Sequence, residues 1–184
     1  MKPTYSPDIG ARVVVAAAKY VGLTEIRPNK EWDLPSTPGR DFIAEEFKGE
    51  LLRSGWQNGW PYCAAFCEVV WKQAYRGRPE LDDITQMLNP GCLRSWHNAV
   101  EAGWTSQVPQ VGAIGIMRKG STERGHAFIV RAIPGDGVLR TIEGNTDLAG
   151  DREGDGVYVS SRKLEFKPTN NLHLIGFIIP CVLK

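Results

Sequence analysis

The chain has 184 residues, of which 42% are hydrophobic and 23% are charged, as in an ordinary globular protein. Its 22 lysines and arginines almost balance 21 aspartates and glutamates, and a net charge of +1 gives no field that would attract nucleic acid. No apolar run approaches the roughly 18 residues of a membrane-spanning helix, so we expect no nucleic-acid partner and no membrane span. The length predicts one domain over residues 1–184.

The first helix is predicted to begin at Ser6, the N-cap, with Pro7 at the first helical position. Its apolar run at 13–18 imitates a signal-peptide core, but the run is short and lies between Arg12 and Lys19. We therefore interpret it as a buried helix face and expect synthesis in the cytoplasm without a signal peptide. The residues that recur at helical spacing and should face inward are Ile9, Val13, Ala17 and Val21.

Gly22 ends this helix, and the three prolines of residues 23–40 predict a long loop. A second helix is predicted to start at a cap on Asp41 and to end at Gly55. Residues 23–56 thus form an insertion that is longer than a minimal domain needs. The inward residues predicted for the second helix are Ile43, Phe47 and Leu51.

A third helix is predicted from Tyr62-Cys63 to about Arg76, and shorter helices are predicted at 81–88 and 93–102. The inward residues predicted for the last of these are Leu93, Trp96 and Val100. The second half changes to short β-rich runs separated by turn signals, at 113–117, 126–132, 138–142, 157–162 and 174–179. Helices followed by an antiparallel meander predict an α+β fold, with N-terminal helices packed on a C-terminal antiparallel sheet.

The four cysteines are too few for a disulfide scaffold, and their spacing fits no zinc site, so we expect no metal and no cofactor. Cys63 opens the predicted third helix, where free N–H groups and the helix dipole lower the pKa of a thiol. It is therefore the candidate nucleophile, with simple burial as the alternative. Cys67 fits that alternative, and Cys92 and Cys181, which we place outside helix starts, are interpreted as structural.

The three histidines leave a short search for a general base. His126 is the first residue of a predicted central strand and can point to the start of a packed helix, whereas His97 and His173 fit surface or structural positions. Glu143 and Asn145 end the next strand, and antiparallel pairing would bring that end close to His126. A carboxylate or amide there would orient the imidazole. The alternatives are a rim ion pair for Glu143 and a turn residue for Asn145.

Taken in order, these segments resemble the CHAP amidases and the wider NlpC/P60-like group, which are papain-like cell-wall hydrolases. The resemblance covers about residues 8–180. The segments that carry it are Trp60-Pro61-Tyr62-Cys63-Ala64-Ala65-Phe66, Gly112-Ala113-Ile114, Gly125-His126-Ala127-Phe128-Ile129-Val130 and Thr141-Ile142-Glu143-Gly144-Asn145-Thr146. The chain departs from the family pattern at Ala113, where an acid is usual, and at Tyr62, where tryptophan is common.

The resemblance implies a papain-like fold in which Cys63 is the nucleophile, His126 the base, and Glu143 with Asn145 the orienting groups. The implied reaction is cysteine-dependent hydrolysis of an amide bond in peptidoglycan through a thioester. The enzyme would be either an N-acetylmuramoyl-L-alanine amidase or an endopeptidase that cuts the stem peptide or the cross-bridge.

Two further sets of residues are expected around the nucleophile. The main-chain N–H of Cys63 would stabilise the oxyanion, and Gln57 or Asn58 would add a side-chain donor. Candidate walls of the substrate groove, for which core packing is an equally weighted alternative, are Trp60, Tyr62 and Trp104.

Two alternatives from other classes stay open at this point. One is a catalytically silent wall-binding or virion-structural module of the same fold, and the other is a thiol hydrolase or acyltransferase acting on a non-wall amide. A wall hydrolase made in the cytoplasm would act after release, as a phage lysin does, or after transport by a secretion machine. Its partners would then be peptidoglycan and a delivery or immunity protein.

Overall fold

The computed structural model of the chain describes residues 2–34, 41–147 and 154–184. The helices are α1 Pro7–Ala18, α2 Asp41–Arg53, α3 Cys63–Ala74, α4 Leu81–Met87 and α5 Cys92–Glu101. The strands are β1 Pro3–Tyr5, β2 Thr24–Arg27, β3 Glu31–Asp33, β4 Thr105–Ser106, β5 Ile114–Lys119, β6 Gly125–Ala132, β7 Val138–Thr146, β8 Gly156–Lys163, β9 Leu172–Ile178 and β10 Cys181–Leu183.

One large sheet organises the second half of the chain. Its strand order is β3-β2-β8-β7-β6-β5-β9-β4, and neighbouring strands pair antiparallel throughout. Strands β1 and β10 form a separate two-stranded sheet. The predicted α+β layout and its five β-rich runs are confirmed, whereas the short strands β1, β2, β3, β4 and β10 were not predicted.

The helices begin and end close to the predicted residues. Ser6 caps α1, because its Oγ accepts a hydrogen bond from the N–H of Ile9 at 3.4 Å. Helix α1 ends at Ala18, so the prediction that Val21 belongs to its inner face is wrong. Val100 is 50% exposed on α5 and does not face inward as predicted. The predicted cap by the Asp41 side chain lies outside the described side chains.

Part of the region predicted as a long loop is a hairpin. Strands β2 and β3 pair antiparallel across a turn in which Asn29 has a φ of +48°, a conformation that asparagine tolerates well. Trp32 on β3 is buried, and its ring meets Phe47 and Tyr62 edge-on at 5.2 and 5.1 Å. This segment of the 23–56 insertion is therefore packed into the core. Residues 35–40 of the predicted loop lie outside the described residues.

Helix α3 is the central helix and carries the cysteine at its first residue. Ten of its twelve residues are buried, since it packs against α1 on one side and against β6 and β7 on the other. Strand β7 comes unusually close to it at Gly144, where an added Cβ would lie 2.9 Å from the Cβ of Phe66. Only glycine therefore lets β7 lie this close to α3 beside the nucleophile.

The opposite face of the sheet carries a second apolar cluster. Its buried residues are Ala113, Phe128, Val130, Leu139, Leu174 and Phe177. Met117, Leu164, Phe166 and Ile179 pack against it from partly exposed positions. Side chains alternate along a strand, so His126 lies on the same face as Phe128. None of the helices in the described ranges is long and apolar enough to cross a membrane.

Candidate active site

Cys63 is the first residue of α3, and only 7% of its surface is exposed. The preceding residue, Tyr62, offers no side-chain hydrogen bond to the helix start. The first N–H groups of a helix have no acceptor within that helix, so they present partial positive charge beside the thiol. The local structure thus favours the anionic form of Cys63.

His126 lies at the start of β6 and is fully buried. Its Nε2 is 2.7 Å from Oε2 of Glu143 on the neighbouring strand β7. Its Nδ1 is also buried and has no hydrogen-bond partner among the nitrogen and oxygen atoms of the described residues. The ring is therefore held at one nitrogen, and the other nitrogen is left for the thiol of Cys63.

Glu143 is buried and accepts hydrogen bonds from three sides. Thr141 Oγ1 donates to Oε1 at 2.6 Å. Arg162 on β8 donates from Nε to Oε1 at 2.9 Å and from Nη2 to Oε2 at 2.5 Å. Burial alone would raise the pKa of Glu143, but His126 and Arg162 outweigh it and lower the pKa to about 2. The carboxylate is ionised and fixed in position.

The thiol and the imidazole stabilise each other as an ion pair. Burial opposes ionisation of Cys63, but hydrogen bonding and charge from His126, together with the N–H groups of Ala127 and Ala64, lower the pKa of the thiol. Burial likewise opposes the charged form of His126, but Cys63 and Glu143 raise the pKa of the ring to about 9. A thiolate beside an imidazolium is the form in which a cysteine is ready to attack a carbonyl.

Asn145 joins the end of β7 to the start of α3. Its Oδ1 accepts a hydrogen bond from the N–H of Tyr62 at 3.2 Å, directly before the nucleophile. Asn145 has a φ of +57°, and the register of β7 with β8 shifts between Gly144 and Thr146. This irregularity turns the asparagine toward the helix. That Asn145 orients His126 stays a prediction.

The residues predicted to surround the nucleophile fall into two groups. Gln57 and Asn58 are exposed in the turn before α3, and Trp60 is 46% exposed. Tyr62 lies in the aromatic cluster with Trp32, and Trp104 is buried against Tyr75 with 6.2 Å between ring centroids. Tyr62 and Trp104 therefore pack in the core instead of lining a groove. An oxyanion role for Gln57 or Asn58 stays a prediction.

The other cysteines and histidines lie apart from this chemistry. Burial raises the pKa of the Cys67 thiol well above its ordinary value, with the charge of Cys63 adding to the effect. Cys92 is the first residue of α5, so our placement of it outside a helix start was wrong. His97 is exposed on α5, and His173 is partly buried on β9.

Arg162 is the residue of the site that the sequence did not reveal. It ends the predicted run 157–162, where an arginine at a strand end is an ordinary surface residue. The one available signal was indirect, because a buried carboxylate such as that of Glu143 requires a cationic partner. The sequence did not identify which of the 22 lysines and arginines would supply it.

Two grooves border the catalytic residues. The first, of about 280 Å³, is lined by Arg162 and by the cross-strand neighbour of His126, Met117. The second, of about 560 Å³, lies beside Pro61 and Asn145. Its acidic lining residues are Glu25, Asp147 and Asp155. Substrate can therefore approach the thiol along a polar surface on either side.

An α+β domain that holds a thiolate, an imidazolium and a buried carboxylate in one cluster defines the class of cysteine-containing hydrolase folds. The sequence profile of the CHAP domain matches residues 53–145, half of the chain. The chain therefore belongs to the CHAP domain family, a family of peptidoglycan amidases and peptidases, and this membership indicates a peptidoglycan hydrolase. No curated protein and no solved structure matches the chain. Cys63, His126, Glu143 and Asn145 lie within the matched segment, and Arg162 lies beyond its end.

The ion pair predicts how the reactivity of the thiol depends on pH. We expect the alkylation rate of Cys63 by iodoacetamide to reach half of its maximum below pH 8.5, about the ordinary value for a free thiol. The measurement is tandem mass spectrometry of the tryptic peptide 54–72 after timed labelling from pH 5 to 10. Cys67 lies in the same peptide, and its raised pKa makes it the internal control. A half-maximal rate for Cys63 at or above pH 8.5 would contradict the ion pair.

Proposed function

We propose that the chain is a cysteine-dependent peptidoglycan hydrolase with a papain-like fold that cleaves an amide bond of the cell wall through a thioester. It would be an N-acetylmuramoyl-L-alanine amidase or an endopeptidase of the stem peptide or the cross-bridge. The observation that carries the proposal is the buried contact of 2.7 Å between His126 and Glu143, next to a cysteine whose pKa is lowered. Membership of the CHAP family supports peptidoglycan as the substrate.

In the first half of the reaction, the Cys63 thiolate attacks the carbonyl carbon of the amide. The main-chain N–H groups at the start of α3 stabilise the resulting oxyanion, with Gln57 or Asn58 as a further donor. The imidazolium of His126 gives its proton to the leaving nitrogen, the C–N bond breaks and an amine departs. Cys63 then holds the acyl group as a thioester, and His126 is neutral.

In the second half, neutral His126 removes a proton from a water molecule, and the resulting hydroxide attacks the thioester carbon. Collapse of the tetrahedral intermediate breaks the C–S bond and restores the thiolate beside the imidazolium. The acyl group leaves as a carboxylate. Glu143 keeps its negative charge throughout and stabilises the imidazolium in both halves of the reaction, since its pKa is lowered to about 2.

A silent wall-binding or virion-structural module and a hydrolase of non-wall amides are the competing functions. The buried carboxylate, the imidazole and the thiol form an arrangement that is expensive to bury, and a binding module would gain nothing from it. We propose further that the protein reaches the wall after release from the cell or through a delivery protein.

The test is digestion of purified peptidoglycan sacculi from several wall chemotypes, with mass spectrometry of the soluble products. We expect the protein to release fragments whose masses distinguish cleavage at the sugar–peptide junction from cleavage within the peptide. The control is the same protein alkylated at Cys63, which should release nothing. Folded protein with a reactive Cys63 that digests no wall would favour a non-wall amide, and an unreactive Cys63 would favour the silent module.

A further inference from the structure

The groove beside the catalytic histidine is cationic, although the chain as a whole carries a net charge of only +1. Its charged or titratable lining residues are Arg162, Lys163, Lys167, His173 and Glu165. Lys163 and Lys167 are exposed, and neither forms an ion pair within the ranges that the structure describes. Local positive charge is therefore concentrated there without an equal number of acids.

This groove is continuous with the catalytic residues. Met117 on β5 pairs directly with His126 on β6, and cross-strand partners share a face of the sheet. Phe128, two residues after His126, lies on the same face and lines the groove as well. Arg162 lines the groove and also binds Glu143, the partner of His126. A ligand in the groove would thus lie next to the catalytic histidine.

The lining combines an apolar floor with cationic groups. Phe128 and Leu174 are buried residues of the second apolar cluster, and Met117 packs against them. Arg162, whose side chain is 16% exposed, has its charge balanced by Glu143. The positive charges of Lys163 and Lys167 are not balanced in this way. Such a surface suits a peptide that carries a free carboxylate, because the floor accepts its carbon chain and the lysines pair with its charge.

We propose that the groove formed by Met117, Phe128, Arg162, Lys163 and Lys167 binds a free carboxylate of the peptide substrate next to the scissile amide. The proposal rests on the function proposed above and adds the charge of the substrate group that the site selects. Stem peptides of peptidoglycan carry such carboxylates, and conversion of a carboxylate to a carboxamide removes the charge with little change of shape. The enzyme therefore distinguishes free from amidated stem peptides.

The test uses a disaccharide–peptide fragment that the protein cleaves, together with a set in which each free carboxylate is replaced in turn by a carboxamide. The quantity measured is kcat/KM for each fragment. One replacement is expected to lower kcat/KM of the wild-type protein about tenfold, as the loss of a charge-assisted hydrogen bond would. In the double variant Lys163→Gln, Lys167→Gln the same replacement should change kcat/KM less than about twofold.

The matched control is Lys184→Gln, which removes one positive charge from an exposed position outside this groove and should keep the tenfold discrimination. The proposal is overturned if no replacement changes kcat/KM of the wild type, or if the double variant discriminates as strongly as the wild type does. Failure of the wild-type protein to cleave the parent fragment or any sacculus has a separate meaning, because it rejects the proposed function itself. Both lysines are exposed, so the substitutions do not disturb the core.

Discussion

Replacement of Cys63 by alanine is expected to lower the rate of wall hydrolysis by about 10⁴-fold or more, because no other group near His126 can form the thioester. Cys67 cannot substitute for it, since burial holds the pKa of that thiol well above the ordinary value. The measurement is the release of soluble fragments from sacculi at equal enzyme concentration. The loss should appear in kcat, because alanine leaves the surrounding grooves in place.

The matched control is Cys67→Ala, which removes a thiol from the same helix one turn further on. It is expected to keep hydrolysis within about threefold of wild type, at a modest loss of stability from the buried cavity. Circular dichroism and thermal unfolding of both variants separate catalysis from folding. Residual release by Cys63→Ala above about one hundredth of the wild-type rate would mean that the nucleophile is another group.

Replacement of Arg162 by leucine is expected to lower the free energy of unfolding by about 3 kcal/mol and hydrolysis by about 10²-fold. The leucine removes the donors to both oxygens of Glu143 and leaves a buried carboxylate with only His126 and Thr141. The pKa of Glu143 should then rise, and the imidazolium should lose a fixed counter-charge. Arg162→Lys, which keeps the charge but not the two-pronged geometry, should fall between leucine and wild type.

The stability loss should depend on pH in a defined direction. The pKa of Glu143 is lowered to about 2 in the folded chain, so its contribution to stability is full above the ordinary value near 4.5 and is lost as the pH falls toward 2. The difference between wild type and Arg162→Leu should therefore be larger at pH 7 than at pH 3, as measured by urea unfolding. Arg140→Leu is the control, because Arg140 pairs with Asp136 on the surface, where ion pairs contribute little. Equal losses for the two leucine variants would refute the role of Arg162.

The sequence predicted the part of the site that depends on local patterns. The apolar periodicity placed Cys63 at a helix start, and antiparallel pairing of consecutive strands brought His126 and Glu143 together. Arg162 escaped because its contact with Glu143 depends on the register of β7 with β8, in which Leu139 lies opposite it. A strand register is set by long-range packing and is not written in the residues next to the arginine.

Two further errors have the same kind of cause. The prolines of residues 23–40 suggested a loop, but the hairpin there forms because Trp32 finds Phe47 and Tyr62, which are distant in the chain. Aromatic residues serve equally well in a core and in a substrate groove, so composition alone did not separate Trp104 and Tyr62 from Trp60. Tertiary contacts decided each case.

The hydrogen bond between Tyr62 and Asn145 joins residues that are 83 positions apart in the chain. The catalytic thiol therefore acquires its neighbours only after the helical half and the sheet have docked. A newly made, partly unfolded or refolding chain carries an ordinary, weakly nucleophilic cysteine at position 63. Reactivity of this one thiol at neutral pH thus reports completed folding, and the protein is harmless to the amides around it until that moment.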